Sequence, residues 1–306
     1  DLELIGKMQS TFATMAAFIE ENHMITAEGF KRGNRKHQCN DFKGLPLVAA
    51  KPFKPFYVSP DDLPIVDFDD FECTVKNSRE IFTAPHLIIK QSHKNGIFLS
   101  EVLDYDAVFN HSLLGVHGNI NKLKYLSVVI GSRVFSYYHI LTNRKWLVER
   151  DELEAGDIWQ TPIPSPSDAE IAEACGIFDK LAISLSKNEK AEQFVRYMYR
   201  LKEYESHQID DVIDYVYDYF KKKQHSASFE QPSIYSYRLY YDCINEVLTN
   251  TFGANTKLNG DLYLGNAPLS VLVLNVGQRN NTDLNFVKSD DKLNEILLSL
   301  DSSLVD

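Results

Sequence analysis

Cysteine is scarce in this chain of 306 residues, which has four, at positions 39, 73, 175 and 243, and no C-x-x-C pair. That spacing predicts neither a zinc knuckle nor a disulfide framework, so we expect a reducing, cytoplasmic setting. No apolar run approaches the roughly 20 residues that cross a bilayer, and the first residues lack a signal-peptide layout. We therefore expect no membrane insertion. Because the first residue is Asp1 rather than Met, we expect a fragment or a processed chain.

The common motifs of catalysis and cofactor binding are also missing. The chain has no P-loop, no G-x-G-x-x-G, no G-x-S-x-G and no H-E-x-x-H, and its nine histidines are scattered. Asp69, Asp70, Glu72 and Lys76 suggest a nuclease cluster for Mg²⁺, but Glu72 and Lys76 are four residues apart rather than alternate residues of one strand. We predict no catalytic residue, no bound cofactor and no metal site in this chain. A metal-dependent nuclease stays an alternative.

Charge is distributed unevenly along the chain, whose net charge is −11. Residues 1–150 hold 18 Lys and Arg against 17 Asp and Glu, whereas residues 151–306 hold 14 against 26. Within the first half, residues 29–54 carry seven basic side chains and one acidic one. Asymmetry of this kind is typical of a charged binding face beside a solvated scaffold. The other interpretation is chance clustering of surface lysines.

Short strands are predicted over residues 84–116. Residues 84–90 and 97–102 are apolar runs of strand length, and the turn between them contains Asn95-Gly96. Asn-Gly is a strong hairpin signal because both residues tolerate positive φ. Further short strands are predicted at 108–109 and 113–116.

Helices are predicted where the apolar period changes to 3.6 residues. Residues 119–141 are predicted to form one amphipathic helix with Asn119 or Asn121 as its N-cap. In a later helix, over 207–222, the apolar side chains are expected to form one buried stripe opposite a solvated acidic face. The helices expected from spacing lie near 3–22, 119–141, 168–185, 189–204, 207–222, 233–251 and 290–300, and two or three strands lie within 261–287.

The predicted fold class is α+β, with a boundary at the proline-rich segment 161–166, which cannot be helical. We expect an N-terminal helix in 1–28, a β-rich lobe around a central helix in 29–166, and a mainly helical acidic lobe with a short terminal β segment in 167–306. Tyrosines of the acidic lobe could stack on bases, but helix packing with hydrated hydroxyl groups is the favoured interpretation.

The order of signals over 84–166 resembles that of a known family. The strand at 84–90 and its hairpin are followed by Ser112-Leu-Leu-Gly-Val116, the helix from Leu123 to Tyr138, the polar turn 142–145 and Pro162-Ile-Pro164. This order is similar to the C-terminal specificity region of N6-adenine DNA methyltransferases of restriction–modification systems, the TaqI-like target-recognition type. Residues 29–36 resemble its glycine-rich basic lead-in, and residues 209–219 resemble the helix after its connector. The resemblance covers about 29–222.

Departures from the family pattern limit what the resemblance implies. The family helix usually has Asn-Ser where this chain has Gly131-Ser132, and the part from about residue 225 has no counterpart. The catalytic tetrapeptide of the Asn-Pro-Pro-Tyr type is absent, as is a glycine-rich S-adenosylmethionine loop. The resemblance therefore implies the reading part of an adenine-specific methyltransferase, with S-adenosylmethionine expected only for the missing catalytic domain.

A DNA-binding face follows from the resemblance and from the basic segments. The implied partners are double-stranded DNA and a methyltransferase catalytic domain or partner subunit. The predicted DNA-binding residues are Lys31, Arg32, Arg35, Lys36, Lys43, Lys90, Lys94, Arg144 and Lys145. The alternative function is a protein-interaction or scaffold module without nucleic-acid binding, which the acidic, tyrosine-rich half fits equally well.

Overall fold

The computed structural model describes residues 1–32, 42–51, 53–67, 73–74, 79–143, 152–183, 189–226, 229–230, 232–252, 258–265, 270–276 and 284–305. The chain divides into two compact units, Asp1–Lys221 and Lys222–Asp306. Both contain helices and strands, so the predicted α+β class is confirmed. No helix in the described part of the chain is long and apolar enough to cross a membrane.

The elements are numbered in chain order. The helices are α1 (Leu2–Thr11), α2 (Met15–Glu21), α3 (Ile120–Ile130), α4 (Arg133–Thr142), α5 (Ala155–Trp159), α6 (Asp168–Ile183), α7 (Glu189–Met198), α8 (Glu203–Asp211), α9 (Tyr217–Lys222), α10 (Ile234–Phe252) and α11 (Asp290–Val305). The strands are β1 (Ile25–Glu28), β2 (Lys31–Arg32), β3 (Leu47–Val48), β4 (Cys73–Thr74), β5 (His86–Lys94), β6 (Ile97–Leu103), β7 (Val108–Phe109), β8 (Leu113–His117), β9 (Leu258–Leu264), β10 (Ser270–Val276) and β11 (Leu284–Lys288).

A four-stranded sheet in the order β1-β8-β5-β6 joins two hydrophobic cores of the first unit, and each neighbouring pair is antiparallel. Because successive side chains of a strand point to opposite faces, Leu87 and Ile89 pack in the core formed with the helices. Ile88 packs in the second core, which is formed with the loops around residues 42–66. The predicted hairpin is confirmed: Asn95 and Gly96 have φ values of 52° and 80° between β5 and β6.

The single helix predicted over 119–141 is wrong, because the structure has two helices there. Asn119 caps α3 as predicted, accepting the backbone N–H of Asn121 at 3.0 Å. Gly131 ends α3, and the side chain of Ser132 caps α4. The apolar spacing continues across this break, so the period alone predicts one helix, whereas the serine side chain favours a new N-terminus.

Two other predicted helices are also divided. The helix predicted over 3–22 is α1 and α2, with Thr14 capping the second. The helix predicted over 207–222 is α8, a π-helical turn at Val212–Val216, and α9. Its apolar stripe is only partly buried, since Val216 is 38% and Phe220 43% exposed. The prediction of one buried stripe is therefore corrected, because the π turn changes the helical phase.

The proline-rich segment lies inside the first unit. The carbonyl oxygens of Pro162 and Pro164 accept hydrogen bonds from the hydroxyl groups of Tyr199 and Tyr125, at 2.7 Å and 2.6 Å. This segment is extended, as its prolines require. The compact units are divided later, after Lys221, and the functional lobes expected at 29–166 and 167–306 stay a prediction.

The second unit combines a three-stranded sheet with α10 and α11. The strand order is β10-β9-β11, in which β9 and β10 are antiparallel and β9 and β11 are parallel. Tyr241 of α10 is buried against Leu262, Leu264 and Leu284. The strands predicted within 261–287 and the closing helix predicted over 290–300 are thus confirmed.

Candidate nucleic-acid interface

The carboxyl ends of β1 and β5 lie at the same end of the four-stranded sheet. Both strands are antiparallel to β8, which lies between them, and are therefore parallel to each other. Lys90 of β5 pairs with Leu113, whose carbonyl oxygen accepts the backbone N–H of Gly29 at 3.1 Å. Lys31 follows Gly29 by two residues. The topology therefore brings Lys31 and Lys90, far apart in the sequence, to one end of the sheet.

Gly29 passes too close to the β7–β8 connection for any larger residue. A Cβ atom at this position would lie 2.3 Å from the carbonyl oxygens of both Phe109 and Asn110. These are backbone atoms, so a side chain could be accommodated only by moving the chain. The glycine thus fixes the path of the backbone from β1 into the basic segment.

An aromatic contact brings a third predicted lysine toward this end of the sheet. Lys43 is exposed and follows Phe42, and Lys31 follows Phe30. The rings of Phe30 and Phe42 are 5.8 Å apart in the second core. Each lysine directly follows one of these two phenylalanines, so the ring contact brings the backbones of Lys31 and Lys43 near each other.

The described residues neutralise the charge of Lys31 only weakly. Its Nζ lies 3.5 Å from a carboxylate oxygen of Glu28, and the two side chains are 39% and 41% exposed. Exposed pairs of this kind are worth about 0–1 kcal/mol, so Lys31 can exchange Glu28 for a phosphate at little cost. Lys90 is half-buried.

All nine predicted DNA-binding residues stay predictions, and the structure describes the side chains of three of them, Lys31, Lys43 and Lys90. Four others, Arg35, Lys36, Arg144 and Lys145, lie outside the described residues. The backbones of Arg32 and Lys94 belong to β2 and β5, but their side chains are not among those the structure describes. A continuous positive face that includes all nine residues is therefore also a prediction.

The tip of the β5–β6 hairpin contacts Tyr217, a residue of the tyrosine-rich helical segment for which the sequence predicted packing but not this partner. The ring of Tyr217 lies 5.3 Å from that of His93, and its hydroxyl oxygen is 3.3 Å from Nδ1 of that histidine. A Cβ atom on Gly96 would lie 3.2 Å from the same ring, so any larger residue at this position would crowd the tyrosine. This contact fixes the hairpin tip, and with it the backbone of Lys94, to the start of α9.

A network of ion pairs connects α8 and the π-helical turn after it to α4 and α7. Arg133 donates to both carboxylate oxygens of Asp214, at 2.7 Å and 3.0 Å, and to Asp210 at 2.8 Å. Arg196 also binds Asp210, at 2.6 Å and 3.0 Å. Burial would raise the pKa of Asp210, but the hydrogen bonds and charges of the two arginines hold it below its usual value. Asp214 is 51% exposed, as expected for the solvated acidic face of this segment, and it also pairs with Arg133.

Two histidines are buried in the first unit, and their contacts are structural. Nδ1 of His86 lies 2.6 Å from the carbonyl oxygen of Ile81, and burial lowers the pKa of His86 to about 4. Nε2 of His139 lies 2.9 Å from the hydroxyl of Thr161, and burial lowers the pKa of His139 to about 3. Both are therefore neutral at pH 7. Among the described residues, no group of three or more His, Cys, Asp or Glu could hold a metal ion; Asp69, Asp70, Glu72 and Lys76 lie outside them.

No family model and no curated protein matches this chain. It is similar to a structure described as the basis of complex assembly and conformational transition of the type I R-M system, with 12% identity and a TM-score of 0.29 over 65% of this chain and 50% of that one. It is also similar to the crystal structure of the HsdS subunit from Thermoanaerobacter tengcongensis, with 12% identity and a TM-score of 0.31 over 69% of this chain and 50% of that one. The chain thus spans about half the length of each structure. At these TM-scores the likenesses establish no shared fold.

Proposed function

We propose that this chain is the DNA target-recognition part of an N6-adenine methyltransferase of a restriction–modification system, acting in the cytoplasm. It reads double-stranded DNA, and a catalytic domain or partner subunit outside this chain binds S-adenosylmethionine and transfers the methyl group. The order of signals over 84–166 supports the family assignment. The convergence of Lys31 and Lys90 at one end of the sheet carries the proposal of DNA binding.

The physical role of this sheet end is to hold cations against phosphates. Lysine and arginine contacts to phosphates position a protein on duplex DNA, and a few side chains then read base edges. Gly29 and the ring contact of Phe30 with Phe42 fix the backbone beside two of the lysines. A fixed backbone loses less conformational freedom on binding than a mobile one.

The test is a fluorescence-anisotropy titration of duplex DNA at two salt concentrations. We expect the double substitution Lys31→Ala and Lys43→Ala to weaken binding to all duplexes alike and to reduce the salt slope by about 0.9 for each phosphate that a lysine no longer neutralises. Arg35→Ala with Lys36→Ala is expected to have the same effect. Thermal stability should change little, because exposed cations contribute little to folding.

The matched control replaces two exposed lysines of the helices, Lys180 and Lys190, with alanine. It removes the same charge from α6 and α7 rather than from the sheet end. An equal loss of affinity in this control would show general electrostatic attraction without a defined site. Absence of duplex binding by the parent chain at low salt would contradict the proposed function.

The interaction module stays the second candidate because α10 has an exposed apolar face. Leu239, Tyr240 and Val247 are 51%, 60% and 58% exposed, whereas Tyr241 on the opposite side is buried. Scattered exposed apolar residues are common, but a row on one helix is typical of a binding surface. Normal duplex binding after Leu239→Ser and Val247→Ser would separate this face from DNA recognition.

A further inference from the structure

The outer edge of the four-stranded sheet is covered by residues 53–58, a segment that turns at Phe56 and that we call the strap. β6 is the edge strand, and its free side pairs with the strap. The backbone N–H of Phe56 donates to the carbonyl oxygen of Ser100 at 2.7 Å, and that of Val102 donates to the carbonyl oxygen of Phe56 at 2.8 Å. Covering an edge strand in this way prevents it from pairing with another chain.

Phe56 anchors the strap to the helical core. Its φ of 72° is unusual for a residue with a side chain, and it turns the ring across the edge of β6. The ring lies 3.7 Å from the position of a Cβ on Gly131 and 5.9 Å from the ring of Phe178. The strap therefore joins the loop side of the sheet to the helical side.

Glu101 of β6 lies buried beneath the strap with an exposure of 1%. Its Oε1 accepts the backbone N–H of Lys54 at 3.0 Å. Its Oε2 is fully buried and has no hydrogen-bond partner among the described residues. A buried carboxylate with one unsatisfied oxygen is costly, whereas its neutral form has a smaller desolvation cost.

The charges around Glu101 compensate an ionised carboxylate only in part. The ammonium group of Lys54 lies 3.1 Å from Asp62 rather than on Glu101. On the side of Tyr105, the phenol donates to the carbonyl oxygen of Val58 at 2.6 Å. The other titratable groups that act on this phenol are those of Tyr57, Asp104 and Asp62. Of these groups only Lys54 carries a positive charge.

We propose that the strap is a latch which neutral Glu101 keeps closed and ionised Glu101 releases, exposing the edge of β6. Ionisation charges Oε2 where no donor meets it, and opening of the strap allows water to reach both oxygens. Burial raises the pKa of Glu101 to about 8, against the smaller lowering effects of the hydrogen bond from Lys54 and the charge of that residue. Because an exposed glutamate ionises near its ordinary pKa of 4.5, opening becomes easier as the pH rises between 4.5 and about 8.

The test measures hydrogen exchange of the strap amides at pH 5.5 and 7.5, corrected for the intrinsic exchange rate. We expect protection of Phe56 to fall by about tenfold per pH unit, or about 100-fold in total, because closing must then protonate Glu101. Amides of the central strand β8 serve as the internal control. An equal loss of protection in β8 would show global unfolding and overturn the latch.

The matched variant is Glu101→Gln, which keeps the shape and the acceptor for Lys54 but does not ionise. Its strap protection should be the same at both pH values. If this variant does not fold, Phe56→Ala provides a second comparison, since it removes the anchor and should leave the strap open at both pH values while β8 stays protected. A pH-independent strap in the parent chain, or an unchanged pH effect in Glu101→Gln, would refute the proposal.

Discussion

Removing either arginine of the network between α4, α7 and α8 should destabilise the first unit, but by different amounts. Arg133 binds Asp214, which is 51% exposed and can be rehydrated, and Asp210 keeps the hydrogen bonds from Arg196 when Arg133 is replaced. The carboxylate of Glu192 also keeps the backbone N–H of residue 133, at 2.9 Å. We expect Arg133→Ala to cost about 1 kcal/mol, at the upper end for exposed pairs because the interaction is bidentate.

Arg196→Ala removes more. This guanidinium is 19% exposed, binds both oxygens of Asp210 and donates to the carbonyl oxygen of Ser206 at 3.2 Å. Its Nε also lies 3.8 Å from the buried Oε2 of Glu192. Loss of the cation leaves two partly buried carboxylates undercompensated, so we expect a cost of about 2–3 kcal/mol.

The assay is urea unfolding followed by circular dichroism, with a double-mutant cycle of Arg133→Ala and Asp214→Ala. We expect a coupling free energy of about 0.5–1 kcal/mol between these two, since they contact directly. In thermal unfolding, each kcal/mol corresponds to about 2–4 °C for a unit of this size. A larger cost for Arg133→Ala than for Arg196→Ala, or zero coupling, would refute this assignment of roles in the network.

Two further predictions concern a close backbone contact and a buried histidine. Gly29→Ala should destabilise by about 1–3 kcal/mol or more, because the new Cβ meets two carbonyl oxygens at 2.3 Å, whereas Gly6→Ala in α1, with nothing within 4 Å, should stabilise by about 0.5–1 kcal/mol. Equal effects in chemical denaturation would contradict this. In the folded chain burial lowers the pKa of His139 to about 3, whereas in the unfolded chain it has its ordinary value of 6.5. The unfolded chain therefore binds a proton that the folded chain does not, and the contribution of His139 to stability is lost as the pH falls from 6.5 towards 3. Between pH 6.5 and 5.0 the parent should lose about 1.6 kcal/mol that His139→Gln does not lose, as measured by urea unfolding at both pH values.

The sequence predicted correctly the elements that depend on only a few neighbouring residues. Asn95-Gly96 specifies a turn that needs two positive φ angles, and the hairpin forms there. The strands at 108–109 and 113–116 and the helix from Asp168 likewise follow from runs of few residues. The break at Gly131-Ser132 was missed because the apolar spacing continues across it, although glycine disfavours a helix interior and the Ser132 side chain caps α4.

The candidate site depended on contacts that no local pattern contains. Arg133 pairs with carboxylates 77 and 81 residues away, and Tyr217 contacts a hairpin 124 residues away. Glu101 lies in a short strand in which a charged residue normally indicates a solvated face, but the strap covers that face. Convergence of Lys31 and Lys90 likewise required the pairing of both strands with β8.

The net charge of −11 does not by itself argue against DNA binding. At physiological ionic strength the Debye length is about 8 Å, so a phosphate interacts mainly with the charges nearest to it. Residues 29–54 hold seven basic side chains and one acidic one, and both Lys31 and Lys43 belong to this segment. The local charge at the sheet end therefore determines attraction to a duplex, while acidic side chains beyond the screening length reduce it little. Lower salt lengthens the screening distance and lets the acidic remainder act, so we expect the salt slope of a sheet-end site to be set by its own lysines near physiological ionic strength and to flatten at lower salt.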